Sequence, residues 1–334
     1  MIISRTPFRV SLFGGGSDYP KWHKAHGGSV LGFAIDKYCY ITLRPLPPFF
    51  EHRHRIVYSR VETVQDISEI QHPAVRGVLM ESGIDYGIEI HHDGDLPARS
   101  GLGSSSSFTV GLLNALAAQA GRMWSREHLA AEAIRIEQEV IAENVGSQDQ
   151  IWATYGGMNR IDFLKDGGFS VTPLIIPPER RDEMMRHCML FFTGISRFAS
   201  QMAARKIANL DVRAESIRAM VQMVDEAQAI LCDERRPITD VGRLLHESWM
   251  FKRGLADTVT TPEIDGIYEA GQGAGALGGK LLGAGGGGFF LMFVEPHRQD
   301  AVRAVLRGLI EVGIRIDYSG SKIVVYEPDG LHLR

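Results

Sequence analysis

The spacing of apolar residues changes along this chain, and each spacing predicts an element. Tyr38–Leu43, Arg55–Ser59 and Gly87–His91 are short, rich in β-branched or aromatic residues and bounded by turn formers, which predicts strands. Ser104–Ala120 is a long apolar stretch opened by a run of serines, which predicts a buried helix. From Ser125 to about Glu143, Leu129, Ala133, Ile136 and Val140 recur at i, i+4, i+7 and i+11, and Asn144-Val145-Gly146 should stop that helix. The turn-rich Lys165-Asp166-Gly167-Gly168 then divides the chain into units of residues 1–165 and 166–334. Beyond it we expect strands at Cys188–Thr193 and Phe289–Val294, and helices around Arg197–Leu210, Glu215–Leu231 and Ile238–Leu255. Thr261-Pro262-Glu263 starts a further helix, with Thr as N-cap and Pro in the first turn. Gln299–Val312 predicts an amphipathic helix, and Arg315–Tyr318 and Lys322–Tyr326 short strands. This mixed order, without regular βαβ alternation, argues for an α+β fold.

Composition narrows the class. The 334 residues include 37 glycines, about 11% against a usual share near 7%. They show no three-residue period, and the 44% hydrophobic content suffices for a real core. A net charge of −4 gives no electrostatic case for nucleic acid. No apolar run approaches the roughly 20 residues of a membrane span, and Met1–Val10 lacks the apolar segment of a secretory signal. Cys39, Cys188 and Cys232 lie far apart, which suits a reducing compartment better than a disulfide frame or a zinc site. The expectation is a cytoplasmic globular protein with neither a nucleic-acid nor a membrane partner.

Three places hold much of the glycine. Gly14-Gly15-Gly16 follows the strand-like Arg9–Phe13 and leads into Ser17-Asp18-Tyr19; it fits a tight turn as well as a close approach of backbone to a ligand. The second place is Leu96-Pro97-Ala98-Arg99-Ser100-Gly101-Leu102-Gly103-Ser104-Ser105, which runs into a helix. Glycines let successive N–H groups point at one spot and the helix end adds unpaired donors, so this is an anion site suited to phosphates. An ordinary serine cap is the rival reading, though four serines exceed what one cap requires. The third place runs from Gly266 to Gly288. Its two G-x-G-x-x-G strings sit after a helix and before a strand, the reverse of a dinucleotide site. Glu137 on its helix and Asp149 just beyond it add two carboxylates of the kind phosphoryl transfer employs.

Together these segments resemble the GHMP kinases, in the family's own order. Thr6-Pro7-Phe8-Arg9-Val10 leading to Ser17-Asp18-Tyr19 is similar to the first motif, Pro97–Ser107 to the phosphate loop, and Lys280–Gly288 to the C-terminal glycine motif. The resemblance implies an N-terminal ATP- and substrate-binding domain of the ribosomal-protein-S5 type, a ferredoxin-like C-terminal domain and a site between them. It implies ATP and Mg²⁺ as cofactors. The ATP phosphates would lie along Pro97, Arg99, Ser100, Gly101, Leu102, Gly103, Ser104 and Ser105. Ser105 and Glu137 would hold Mg²⁺, Asp149 would act as base with Arg9 as its cationic partner, and Asp18 would hold sugar hydroxyls beside Gly15, Gly16, Gly285 and Gly286.

The chain departs from the galactokinases at Gly14-Gly15-Gly16, where polar sugar-contacting side chains are missing, and at Phe8, which replaces a glycine. Arg5, the triple glycine, Gln148-Asp149-Gln150 and the four-glycine run resemble the heptose kinase branch. That implies phosphorylation of the anomeric hydroxyl of D-glycero-D-manno-heptose 7-phosphate. The rivals are a free sugar such as L-fucose or galactose, or a non-catalytic regulator on the same fold. A phosphorylated substrate needs cations; Arg5, Lys21, Arg99, Arg197 and Lys206 are candidates, Arg197 first because it follows a strand end.

Overall fold

The computed structural model describes residues 1–98, 100–195, 207 and 209–329. Its first sheet is built around β1 (Ile2–Phe13) and the long β2 (Gly28–Pro45), joined through the short helix α1 (Pro20–His26). β1 runs antiparallel along β2, β5 (Ile88–Gly94) pairs with the second half of β2, and β6 (Met158–Phe163) with its first half. β3 (His54–Val57) lies parallel to β5 and antiparallel to β4 (Val61–Val64), while β7 (Phe169–Pro173) extends β6. The last strand, β12 (Lys322–Tyr326), returns to pair with β1. Strand alternation explains the coverage: Cys39, Ile41 and Leu43 are fully buried, while Tyr40 and Thr42 between them are partly exposed. Helix α3 (Ser104–Gln119) packs on β1 and β2, with α2 (Pro73–Ser82), α4 (Arg126–Arg135) and α5 (Gln148–Tyr155) around it. Its apolar residues are buried almost all round, as the sequence suggests.

The second sheet holds β8 (Cys188–Phe192), β9 (Ala276–Leu281), β10 (Phe289–Val294) and β11 (Ile310–Val312), all antiparallel, in the order β11-β8-β10-β9. Counted along the chain these are its fourth, first, third and second strands, the ferredoxin-like order. Around it lie α6 (Pro178–His187), α7 (Ala214–Cys232), α8 (Thr239–Arg253), α9 (Pro262–Gly273) and α10 (Gln299–Val305). Thr261 caps α9 through its hydroxyl, which accepts from Ile264 N. All six residues of β10 are buried, so its unbroken apolar run reflects cover on both faces.

Four expectations are corrected. Lys165–Gly168 is the turn of the β6–β7 hairpin, so the first sheet continues to Pro173 and regains β12 at the other end of the chain. The run Gln299–Val312 is divided: α10 stops at Val305, Gly308 follows, and Ile310–Val312 pairs with β8, tertiary pairing overriding helical periodicity. Arg315–Tyr318 makes only an isolated bridge, Ile316 to Ile35. β9 lies inside the glycine-rich stretch, where no strand is expected from sequence. The helix expected around Arg197–Leu210 falls mostly outside the described residues.

Candidate active site

The glycine loop expected to bind phosphates enters α3 through Gly103, which has a φ of +77° and is itself the N-cap; among the described residues no side chain caps this end. The serines therefore do not form an ordinary cap. Arg9 reaches the same loop from β1. Its backbone N donates to Leu102 O at 3.0 Å and its Nη1 to Gly101 O at 2.7 Å. Its Nε and Nη2 donate to the two oxygens of Asp149 at 2.7 and 2.6 Å, a bidentate fork. Asp149 lies in the first turn of α5, where the helix end favours a carboxylate. Arg9 is 4% exposed whereas the Asp149 side chain keeps 24%, so the acid is the more accessible partner. A Cβ on Gly103 would stand 3.3 Å from both Arg9 Cγ and Asp149 Oδ2, so the missing side chain lets the loop rest on the pair. Phe8 is a buried core residue and leaves Arg9 in place.

The other loop residues divide by environment. Leu102 is buried in the core, Pro97 and Ser105 are exposed, and Ser104 is half-buried. Ser100 is buried, with an Oγ that has no hydrogen-bond partner among the described residues. Arg99 and Arg197 lie outside the described residues.

Glu137 sits where the expected helix changes character. After Arg135 the chain widens into a π turn over Ile136–Val140, with Ile141 N donating to Ile136 O at 2.9 Å. Such one-turn insertions redirect side chains and recur at functional sites. Here Glu137 is buried, while Glu139, the other glutamate in this turn, is exposed. Glu137 Oε2 accepts from Ser106 Oγ at 2.8 Å and from Gln150 Nε2, whereas Oε1 has no partner among the described residues. Burial pushes its carboxyl up to about 7, against the bonds it accepts from Ser106 and Gln150. A buried, under-satisfied carboxylate oxygen suits a hard cation such as Mg²⁺. In the structure Ser106, not Ser105, touches Glu137, and sequence reasoning did not single out Ser106 or Gln150.

On the sugar side, Asp18 is 2% exposed; its Oδ1 accepts from Gly16 N at 2.8 Å and its Oδ2 from Gln148 Nε2 at 2.7 Å. Gln148 in turn accepts from Ser11 Oγ at 2.8 Å. Asp18 thus ties the triple-glycine turn to α5, where the sequence suggests a carboxylate offered to hydroxyls. Tyr19 lies close by: burial, and then the charges of Asp18 and Asp149, push its phenol up. Gly15 is partly exposed, and among the described residues only Ser11 Oγ lies near its absent Cβ.

The C-terminal glycine run faces the protein's own backbone more than the expectation of a ligand wall allows. A Cβ on Gly285 would stand 2.7 Å from Val259 Cα, and Gly286 N donates to Val259 O at 3.0 Å. A Cβ on Gly283 would stand 2.6 Å from Gly101 Cα, so the turn and the phosphate loop meet backbone to backbone.

Comparison with known proteins gives the family. Residues 69–157 match the family described as GHMP kinases N terminal domain, and residues 223–311 match GHMP kinases C terminal. The chain belongs to the GHMP kinases. It has their two-domain fold and is an ATP-dependent phosphotransferase acting on a hydroxyl group. It is 28% identical to a D-glycero-alpha-D-manno-heptose 7-phosphate kinase of Campylobacter jejuni, over 96% of this chain and 97% of the relative. It is 26% identical to a galactokinase of Thermococcus kodakarensis, covering 89% and 90%. Among solved structures, a D-glycero-D-manno-heptose 1-phosphate kinase from Bacteroides thetaiotaomicron has a TM-score of 0.79 at 23% identity, covering 98% and 100%, a likeness of fold. These relatives support a sugar kinase of the family. Among the described residues no helix is long and apolar enough to cross a membrane.

Proposed function

We propose that this GHMP kinase transfers the γ-phosphoryl group of ATP to the anomeric hydroxyl of D-glycero-D-manno-heptose 7-phosphate, giving the 1,7-bisphosphate, in the cytoplasm. The observation that carries the chemistry is the Arg9–Asp149 fork lying against Gly103 of the phosphate loop. A carboxylate oxygen accepts more than one hydrogen bond, so the fork leaves acceptor capacity for a substrate hydroxyl. Asp149 takes the hydroxyl proton, the freed oxygen bonds to the γ-phosphorus, and the bond to the ADP oxygen breaks. Arg9 fixes Asp149 and places positive charge beside the loop, while the N–H groups of Gly101–Ser105 bind the phosphates. Glu137 and the Ser105 hydroxyl would hold Mg²⁺, which when bound neutralises phosphate charge.

The substrate rests on the heptose kinase among the relatives and on the triple glycine, which removes polar contacts that a free hexose would use. Asp18, through the turn it ties, shapes the sugar side with Gly15 and Gly16. Arg197 is our first choice for the sugar phosphate, and Arg197→Ala should raise KM for the phosphosugar more than for ATP. The deciding experiment is ATP consumption with a panel of heptose 7-phosphate, L-fucose and galactose. Turnover fastest with the heptose supports the proposal. Turnover on a free sugar alone reassigns the substrate, and no turnover with any of the panel favours a binding regulator.

A further inference from the structure

The glycine turn that meets the phosphate loop is held from behind by a buried lysine. Lys252, 4% exposed near the end of α8, donates from Nζ to Leu281 O at 2.6 Å and to Gly283 O at 2.7 Å. Leu282 lies between those carbonyls, and its own oxygen lies against the loop: a Cβ on Gly101 would stand 2.6 Å from it. Leu282 N donates to Phe289 O, and Phe289 N donates to Ser100 O at the start of the loop. Two captured carbonyls thus fix the residue against which Gly101 rests, and β10 carries the same restraint to Ser100. Gly101 has a φ of +82°, a conformation that only a tightly bounded glycine keeps in one place.

We propose that Lys252 is a positioning residue for the nucleotide site, acting through the Leu281–Gly283 turn on the loop at Ser100–Gly103. The ammonium carries charge-assisted bonds, which are stronger than neutral ones. Without it the turn can relax away from Gly101, and the N–H groups of the loop lose the single geometry that a phosphate requires. This rests on the reading that the loop binds the phosphates of ATP.

Arg180 provides a matched comparison. It is 6% exposed, and its Nη2 donates to two carbonyls, Ile230 O at 2.8 Å and Arg236 O at 2.7 Å, at the end of α7. Calorimetric titration of the full chain with the ATP analogue AMPPNP and Mg²⁺ reads the proposal directly. Lys252→Met should weaken binding at least tenfold, and Lys252→Arg should restore it to within threefold of wild type. Arg180→Met should lower the unfolding temperature yet bind within twofold of wild type. If Lys252→Met does not fold, Lys252→Gln and Lys252→Arg replace it, with binding expected to be tighter for Arg. Binding by Lys252→Met within twofold of wild type, equal loss in Arg180→Met, or equal binding by the Gln and Arg variants overturns the inference. A wild-type chain that binds no AMPPNP overturns the nucleotide reading itself, and the inference falls with it.

Discussion

Two carboxylates, Asp149 and Glu137, belong to the candidate site, and their surroundings differ in kind. Asp149 is partly exposed and meets a guanidinium in a two-bond fork. Glu137 is buried and meets a hydroxyl and an amide on one oxygen, while the other has no partner among the described residues. The charge of Asp149 is answered by the protein itself, so that residue suits work at one fixed position whatever else is bound. Glu137 is answered only in part, and its carboxyl, pushed up to about 7 by burial, titrates where a cation can compete with the proton. Environment alone thus gives the two acids different chemistry, and on the proposed reading it suits Asp149 to handling a proton and Glu137 to holding a cation.

Removing the first should have the largest effect. Asp149→Asn keeps the shape but lacks the base, and positioned bases contribute about 10²–10⁴-fold. We expect turnover to fall by about that factor while AMPPNP binding survives; steady-state rates beside calorimetry check both, and near-normal turnover would remove Asp149 from its role.

Glu137→Gln tests the other half of the contrast on stability. A carboxyl raised from 4.5 to about 7 on folding contributes its full stabilisation below the unfolded value and loses it as pH rises through the folded one. In the metal-free protein this contribution should therefore be lost between about pH 4.5 and somewhat above 7. The Gln variant lacks this contribution while keeping every other titrating group, so it should gain roughly 3 kcal/mol relative to wild type across that window. Urea unfolding in EDTA at pH 5 and pH 8 measures this, and parallel profiles for the two proteins would show that the burial of Glu137 is not expressed. Added Mg²⁺ should narrow the difference at pH 8, since the cation favours the ionised wild type.

Gly103→Ala strikes where the loop rests on the fork. The φ of +77° and the 3.3 Å approach to Arg9 and Asp149 both oppose a methyl group. We expect about 1–2 kcal/mol lost from stability and at least tenfold lost from turnover. Thermal unfolding and kinetics measured together distinguish this from a purely local strain, in which turnover would be unchanged.

Much of the contrast is legible in the sequence. Continuous apolar runs mark α3 and β10, and regular spacing marks the helix that carries Glu137, because burial on all sides or on one dictates the apolar pattern. The motif order singled out Arg9, Asp149 and Gly103. What stayed hidden is geometry that periodicity does not encode. The π turn at Ile136–Val140 leaves Leu129, Ala133, Ile136 and Val140 apolar, as a plain α-helix would, yet it redirects Glu137. The burial of Asp18 depends on Gln148, far away in sequence and brought beside it by folding. The glycine excess read as surface for a ligand; in part it is surface for the protein's own backbone, as at Gly283 against Gly101 and Gly285 against Val259. A glycine count does not say which.

The smallest expected effect bears on which serine serves the metal. Family likeness points to Ser105, whereas in the structure Ser106 donates to Glu137 Oε2 and Ser105 is exposed. The two roles are compatible if Ser106 orients the carboxylate and Ser105 offers its hydroxyl to the cation once the phosphates are bound. Ser105→Ala then removes one ligand of an ion that keeps several waters and phosphate oxygens, so the Mg²⁺ concentration for half-maximal activity should rise only a few-fold. Ser106→Ala removes a hydrogen bond from a buried carboxylate and leaves it less satisfied, at a cost of about 1–3 kcal/mol. Its signature should be lower stability, with the pH window of Glu137 displaced upward. An unchanged Mg²⁺ titration in Ser105→Ala together with a shifted one in Ser106→Ala would transfer the metal contact to Ser106, and the contrast between the two carboxylates would stand with a different neighbour.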